Sequence, residues 1–273
     1  MFTHIRSRFR WDGSVNVLGV RVDPTNMDAA VRTIIAWSEN PGPCCRYVCV
    51  TGMHGVIESQ SDHTMREILS TADLNVPDGM PLSWLGWFAG FEEMDRVFGP
   101  ELMLRVCAAS VGKEISHFLY GGNDGVADAL AARLATMYPG LRIAGTYCPP
   151  FRALTGEEAN EVVRVINGSG ASIVWVGLST PKQERWMSAF APRLTAGVTL
   201  GVGAAFDYNT GHLKRAPVAM QRAGLEWLFR LIQEPRRLFG RYARSIPKFI
   251  VLVAQQAVSP RGAGSRHDDH RTS

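Results

Sequence analysis

Short runs of apolar, β-branched residues alternate with helical patterns along most of the 273-residue chain, and this alternation limits the folds open to it. The strand-like segments are short and bounded by turn residues, at 15–22, 47–51, 74–76, 116–120, 142–146, 173–177 and 198–202. Helical patterns lie between them at 26–38, 64–71, 100–111, 124–137, 156–167 and 182–191. A strand reaches a parallel neighbour only through a crossover, which is usually a helix. The pattern therefore predicts an α/β fold, a Rossmann-like parallel sheet with flanking helices.

The strand patterns stop after residue 217, and the charge changes near the same point. Residues 212–248 contain nine Lys or Arg against two Glu, a net charge of +7, and 249–273 add +1, so a total of +4 leaves −4 for 1–211. Amphipathic helical patterns rich in Arg cover 218–229 and 235–258. We expect an N-terminal extension at 1–13, a Rossmann-like domain at 14–211, a basic helical appendage at 212–258 and a disordered tail at 259–273.

Residues that directly follow the strands are the first candidates for a site, because ligands bind at the carboxyl ends of strands in such sheets. Asp78 follows the third strand, next to a glycine. A carboxylate in that place suits a general base, and it equally suits the cap of a helix that begins near residue 80. Gly121, Gly122 and Asn123 follow the fourth strand. Their backbone N–H groups suit a phosphate, and a plain tight turn explains them as well.

Two further motifs follow the last two strands. Gly177 precedes a helix start where Lys182 suits a phosphate and Gln183 suits an amide-like base edge; a solvated first turn is the alternative. Gly203 leads to Asp207, which suits ribose hydroxyls or a structural turn. Each motif has two interpretations when taken alone. Together they lie at one edge of one sheet, and this placement favours a nucleotide-type ligand.

Metal and targeting signals are absent from the sequence. No two aspartates stand at positions i and i+2, so the D-x-D pair that holds a divalent cation in many nucleotide-sugar enzymes is lacking, and we expect neither a metal nor another cofactor. The first residues lack the apolar core of a signal peptide. Apolar stretches are shorter than the roughly 18–20 residues of a spanning helix. We expect a cytoplasmic protein without a transmembrane helix.

Several motifs occur in the order typical of one enzyme family. Between about residues 15 and 248 the sequence resembles the WecG/TagA/CpsF glycosyltransferases, glycosyltransferase family 26. The resemblance rests on P-D-G at 77–79, R-V-x-G at 96–99, P-K-Q-E at 181–184, K-R-A-P at 214–217 and G-L-E-W at 224–227.

The resemblance implies a GT-E fold and an activity. A sugar would pass, with inversion and without a metal, from a UDP-sugar to a polyprenyl-diphosphate-linked saccharide in surface or exopolysaccharide biosynthesis. Asp78 would be the general base that deprotonates the acceptor hydroxyl, and Arg96 would face the diphosphate or the reaction centre. Gln183 and Asp207 match positions associated with the UDP moiety, and Tyr147 is a candidate for stacking on uracil.

The sequence departs from the family at the end of the second strand. Many members have T-x-N there, whereas Gly52 occupies the asparagine position in this chain. The contact of that asparagine is therefore lost or made by Thr51 or His54, and the transferred sugar need not be N-acetylmannosamine. A second interpretation of His54 is that it only begins a helix.

The basic appendage also fits this family. The resemblance implies that tail residues bind the acceptor or a diphosphate, with candidates Lys214, Arg215, Arg222, Arg230 and Arg237. An Arg-rich amphipathic helix suits an anionic cytoplasmic leaflet, at about 1 kcal/mol per basic residue, although a solvated helix face is the simpler explanation. We expect a peripheral protein on the cytoplasmic face of the inner membrane, and the sequence is compatible with a monomer or a dimer.

Two other classes remain open at this point. Gly201-Val202-Gly203 resembles the start of a dinucleotide fingerprint, which would indicate an oxidoreductase, but Phe206 occupies the third glycine position. A non-enzymatic protein whose basic tail binds nucleic acid is the other alternative, and it would show steep salt dependence. The glycosyltransferase interpretation predicts no nucleic-acid partner.

Overall fold

The computed structural model describes residues 5–258, which contain two β-sheets. A small antiparallel sheet consists of β1 (Arg10–Trp11), β2 (Ser14–Val17) and β3 (Val20–Val22). The main sheet has six parallel strands in the order β5-β4-β9-β8-β6-β7. Their bounds are β4 Arg46–Thr51, β5 Leu74–Pro77, β6 Ser116–Gly121, β7 Arg142–Tyr147, β8 Ile173–Gly177 and β9 Val198–Gly201.

Both faces of the main sheet are apolar and covered. In β8, for example, Val174 and Val176 lie in one hydrophobic core while Ile173 and Trp175 lie in the other, because successive side chains point to opposite faces. A parallel sheet with helices on both faces requires such strands. The predicted Rossmann-like fold is confirmed.

Twelve α-helices occur within the described residues. They are α1 Met27–Glu39, α2 Met53–Glu58, α3 His63–Thr71, α4 Met80–Phe88, α5 Gly99–Ser110, α6 Val126–Met137, α7 Gly156–Gly168, α8 Lys182–Phe190, α9 Ala205–Thr210, α10 Val218–Arg222, α11 Glu226–Gln233 and α12 Pro235–Val258. Short 3₁₀ turns lie at Ser7–Phe9 and Ala191–Arg193. The three helices that directly follow β4, β5 and β9 place the site, and two of them are only six residues long.

The first predicted strand, 15–22, is a hairpin and lies outside the main sheet. Leu18 and Gly19 have φ angles of 55° and 81°, so the chain reverses between β2 and β3. Two successive residues with positive φ are what a tight two-residue hairpin turn requires. The alternating apolar residues continue through the turn. For this reason the sequence pattern predicted one strand where the structure has two.

The appendage is helical, as expected, and folds back over the body. α12 packs against α2, α11 and the turn at Ser7–Phe9. At its far end, the Gln256 side chain accepts a hydrogen bond from the Leu18 N–H (2.9 Å) and donates to the carbonyls of Arg8 (3.0 Å) and Asn16 (2.9 Å). The two ends of the described chain are thus fastened together.

The expected tail at 259–273 lies outside the described residues, as do residues 1–4 of the expected extension. None of the helices within residues 5–258 has the length and apolar character needed to cross a membrane.

Candidate active site

A cavity of about 230 Å³ lies at the carboxyl ends of the central strands. The segments after β4, β5 and β9 form one wall, and the start of α8 contributes Gln183. The appendage forms the opposite wall with residues of α10, α11 and α12: Gln221, Glu226, Trp227, Arg230, Arg241 and Tyr242. The cavity is therefore completed by the two parts of the chain together.

Asp78 lines this cavity directly after β5. Its N–H donates to the Thr51 carbonyl at 2.8 Å, which fixes the backbone next to β4. The alternative capping role is not realised, because Gly79 is the N-cap of α4 and no side chain caps that helix. The pKa of Asp78 is raised to about 7, chiefly by burial and also by nearby Glu226, while Arg96 and Arg230 oppose the rise.

Arg96 also lines the cavity and connects the body to the appendage. Its guanidinium pairs with Glu226 of α11 and donates to Gln221 Oε1 of α10 at 3.1 Å. The same group lies over the Phe98 ring, 5.0 Å from the centroid. Arg96 is thus held at the cavity wall by two appendage residues and one aromatic ring.

His54 and Gly52 lie beside Asp78, and His54 is the second residue of α2. The pKa of His54 is lowered by burial and by Arg241, with Glu58 opposing. A Cβ atom on Gly52 would lie 3.1 Å from the Asp78 carbonyl oxygen, so an asparagine at this position would need a small shift. Thr51 is buried below the cavity and does not line it, and its Oγ1 has no hydrogen-bond partner.

Gln183 is only 2% exposed and lies against the glycine turn after β9. Its Nε2 donates to the Glu184 carboxylate at 3.1 Å, while its Oε1 is buried without a partner. Glu184 also accepts from the Thr180 hydroxyl at 2.8 Å, and burial raises its pKa. The Gln183 amide is thus oriented by its neighbours and keeps one free acceptor next to Gly203, which also lines the cavity.

The glycine turn after β6 has a packing role. A Cβ atom would lie 2.6 Å from the Gly177 carbonyl oxygen at Gly121, and 2.9 Å from the Val126 side chain at Gly122. At Gly177 it would lie 3.0 Å from the Phe206 ring. These three glycines and the exposed Asn123 do not line the cavity.

Three more predicted donor contacts also lie outside the cavity wall. Lys182 is exposed at the start of α8, and Asp207 is half-buried in α9. Tyr147 ends β7 and stacks on Tyr120 with ring centroids 5.6 Å apart. These three side chains lie at the same edge of the sheet as Gln183, but they do not line the cavity.

The basic appendage residues divide into two groups. Arg230 lines the cavity and lies 5.9 Å from the Tyr208 ring centroid, whereas the other four predicted residues do not line it. Arg215 pairs with Glu101 at 2.7 Å and Arg237 with Glu234 at 2.6 Å. The backbone of Lys214 is paired with the Gln233 side chain, and Arg222 is exposed.

Sequence reasoning missed Gln221, Glu226, Arg241, Tyr208 and Tyr242 as cavity residues. Glu226 lies within the G-L-E-W motif, which was the available signal. Tyr208 directly follows Asp207 in a segment that had been singled out. Gln221, Arg241 and Tyr242 had no signal, because an amphipathic pattern does not show which helix face meets a distant strand end. Within the described residues, no three His, Cys, Asp or Glu side chains cluster as metal ligands would.

Comparisons with known proteins agree on one family. The model of the glycosyl transferase WecG/TagA/CpsF family matches residues 15–263. The chain is 27% identical over 195 residues to an N-acetylglucosaminyldiphosphoundecaprenol N-acetyl-beta-D-mannosaminyltransferase of Bacillus subtilis, covering 71% of this chain and 73% of that protein. It is 29% identical over 217 residues to a protein of the same name from Bacillus spizizenii, covering 78% and 82%.

The family match includes every segment that builds the cavity, and it favours the glycosyltransferase interpretation over the oxidoreductase and nucleic-acid alternatives. The chain is a glycosyltransferase and belongs to the WecG/TagA/CpsF family.

Proposed function

We propose that this enzyme transfers a sugar from a UDP-sugar to a polyprenyl-diphosphate-linked saccharide, with inversion at the anomeric carbon and without a metal ion. The observation that carries the proposal is Asp78, a carboxylate with a pKa of about 7 in a cavity that also contains Arg96 and Arg230. The names of the two relatives support the acceptor class, because both describe transfer to an undecaprenyl-diphosphate-linked sugar.

The proposed reaction is a single displacement. The acceptor hydroxyl oxygen attacks the anomeric carbon while its proton passes to the Asp78 carboxylate, and the bond from that carbon to the UDP oxygen breaks. Attack from the face opposite to UDP inverts the configuration. A base whose pKa lies near the working pH is well matched to this proton transfer, which typically contributes about 10²- to 10⁴-fold in rate.

Charge on the departing diphosphate needs stabilisation from the protein. Three guanidinium groups line the cavity, from Arg96, Arg230 and Arg241, and preorganised cations stabilise charge that develops in the transition state. Arginine also binds phosphate oxygens with two parallel hydrogen bonds. This set of cations supports a metal-free mechanism.

The donor nucleotide is proposed to lie on the Gln183 side of the cavity. The free Gln183 Oε1 suits the imide N–H of uracil, since a buried acceptor without a partner is costly until a ligand supplies a donor. Asp207, Tyr147, Lys182 and the turn with Gly121, Gly122 and Asn123 remain proposed donor contacts along the same strand ends. Thr51 remains a proposed contact below Gly52.

The acceptor and the membrane are proposed to meet the appendage. Arg230 would bind a diphosphate inside the cavity, whereas Lys214, Arg215, Arg222 and Arg237 would contribute outside it. Exposed apolar residues accompany these cations, with Ile232 69% and Phe239 66% exposed. We therefore place the enzyme at the cytoplasmic face of the membrane as a peripheral protein.

Substitution of Asp78 by Asn tests the assignment of the base. The amide has nearly the same shape but cannot accept the proton, so we expect transfer to fall by at least about 10²-fold. The assay pairs each of a panel of UDP-sugars with a prenyl-diphosphate-linked saccharide and detects the glycosylated lipid. The panel also identifies the sugar, which Gly52 leaves open.

The control is UDP binding by titration calorimetry, which we expect to be unchanged in D78N because the substitution leaves Gln183 and the cavity arginines in place. Turnover in D78N at the wild-type rate would overturn the role of Asp78. Failure of every UDP-sugar in the panel would overturn the donor class.

A further inference from the structure

Glu226 is the one carboxylate that the appendage places in the cavity within the described residues. It is the first residue of α11, and its side chain is 16% exposed. One of its oxygens pairs with Arg96, and the other, Oε1, is buried without a hydrogen-bond partner. Arg96 in turn is 12% exposed and is also held by Gln221. A nearly buried ion pair thus joins the two parts of the chain beside Asp78.

Asp78 is surrounded by charged and titratable groups from four segments. Arg96 lies on the body side of the cavity, as Asp78 does. Glu226 and Arg230 belong to α11, Tyr208 to α9 and Tyr242 to α12. His54 and Arg241 line the same cavity. The two arginines favour the charged carboxylate, whereas Glu226 disfavours it.

Arg96 is close enough to Asp78 to affect its charge, yet neither a hydrogen bond nor an ion pair joins them in the described part of the chain. The guanidinium is instead committed to Glu226 and Gln221. An arginine paired directly with a catalytic carboxylate would make it a weaker base, because the opposite charge stabilises the deprotonated form.

We propose that Glu226 is a positioning residue for Asp78: it holds the Arg96 guanidinium on the appendage side of the cavity, offsets its charge, and so keeps Asp78 a strong enough base to take the acceptor proton. The inference rests on the proposed function, because it assigns a partner to the same base. It makes formation of the active base dependent on a docked appendage.

The test is the substitution Glu226→Gln, which keeps the shape and a hydrogen-bond acceptor for Arg96 but removes the charge. We expect the titration of Asp78 to move to lower pH by about one unit, since a like charge is lost and Arg96 is no longer offset. The measurement is a ¹³C NMR titration of the aspartate carboxyl carbons in the full chain, with the Asp78 resonance assigned by its absence in D78N.

Activity supplies the second readout. The acid limb of kcat/KM for transfer should shift to lower pH by the same amount in E226Q, and kcat on the plateau should fall several-fold because the base is weaker. Glu226→Asp retains the charge, so it should restore a titration close to that of the wild type. A variant with a merely structural defect would lower kcat without moving the limb.

Glu101→Gln is the matched control, since Glu101 of the body pairs with Arg215 of the appendage and so also joins the two parts of the chain, but outside the cavity. We expect it to leave the Asp78 titration in place. An unshifted Asp78 resonance in E226Q would overturn the inference while leaving the base assignment intact. Wild-type turnover in D78N would instead overturn the proposed function.

Discussion

At the scale of single residues, the proposed chemistry of the cavity depends on one carboxylate with an unusually high pKa. Asp78 has a pKa of about 7 instead of 3.8, chiefly because burial disfavours its charged form. Such a group is a much better proton acceptor than an ordinary aspartate, while about half of it is still deprotonated near pH 7. Burial therefore makes the Asp78 carboxylate a stronger base, and the arginines keep part of it deprotonated near pH 7.

This state predicts the pH dependence of transfer. The base must be a carboxylate, so activity should be full above pH 7 and fall as the pH drops through about 7, whereas an ordinary aspartate would stay active to about pH 4. The measurement is kcat/KM between pH 5 and 9 at constant ionic strength. A rate that stays constant down to pH 5 would contradict the assignment.

The residue scale also shows how far sequence reasoning reaches. Asp78 and Gln183 were found because parallel strands end at one edge, so residues that follow different strands converge, whereas Arg96 and His54 were named through the family resemblance. Arg241 and Tyr242 were not found, because they reach the cavity through the docking of a helix that no local pattern specifies, and Glu226 was missed although it lies in the G-L-E-W motif. The glycines at 121 and 122 gave a real signal, and the structure explains it by close packing.

At the scale of elements, a buried histidine connects two strands and a helix. His117 of β6 accepts a hydrogen bond from Trp175 Nε1 of β8 (3.0 Å) at Nδ1, so its proton lies on Nε2, which contacts the Ser110 hydroxyl of α5 at 2.8 Å. Its side chain is fully buried, and burial lowers its pKa to about 4. The neutral ring is part of the core.

His117 should therefore make the fold sensitive to acid. In the unfolded chain its pKa is about 6.5, so the unfolded state binds the extra proton between pH 6.5 and 4. The stabilisation is complete above pH 6.5 and decreases by about 3 kcal/mol as the pH falls to 4. Urea unfolding at several pH values measures it. His117→Gln should flatten this slope, and His63→Gln, at an exposed site, should not; an equal slope in H117Q would contradict the prediction.

Elements were predicted well where the pattern was long and were missed where it was short. Six of the seven strand segments form the main sheet, because a buried parallel strand has a continuous apolar run. The six-residue helices α2 and α9 are shorter than two turns and carry no readable period. The hairpin at residues 15–22 depends on the φ angles of two residues, which alternation alone does not reveal.

At the scale of the whole molecule, the uneven charge of the chain coincides with its division into the body and the appendage. The body carries most of the acidic groups. The appendage carries two arginines that line the cavity, Arg230 and Arg241, and others that are exposed. Exposed Phe239 lies on the same helix, α12, as exposed Arg236 and Arg237, and exposed Ile232 lies on the preceding helix, α11. Apolar and basic groups on one surface are what an anionic membrane attracts.

Vesicle binding tests this arrangement. We expect the full chain to sediment with vesicles that contain anionic lipid and much less with neutral ones, and Arg236→Gln with Arg237→Gln to weaken binding by about 30-fold, at about 1 kcal/mol for each charge. Arg142→Gln with Arg164→Gln, on the body, is the control pair. Equal binding to both vesicle types, or tight binding to nucleic acid instead, would contradict the membrane proposal.

The hydrogen bonds that Gln256 makes with residues 8, 16 and 18 have a consequence for the order in which the protein is completed. The partners of Gln256 at residues 8, 16 and 18 are synthesised between 238 and 248 residues before it. Glu226, Arg230, Arg241 and Tyr242 follow all six strands of the main sheet in the sequence, so a growing polypeptide has the complete main sheet before it has the appendage wall of the cavity. The proposed base, Asp78, therefore gains the surroundings described above only in a chain whose synthesis has passed these helices.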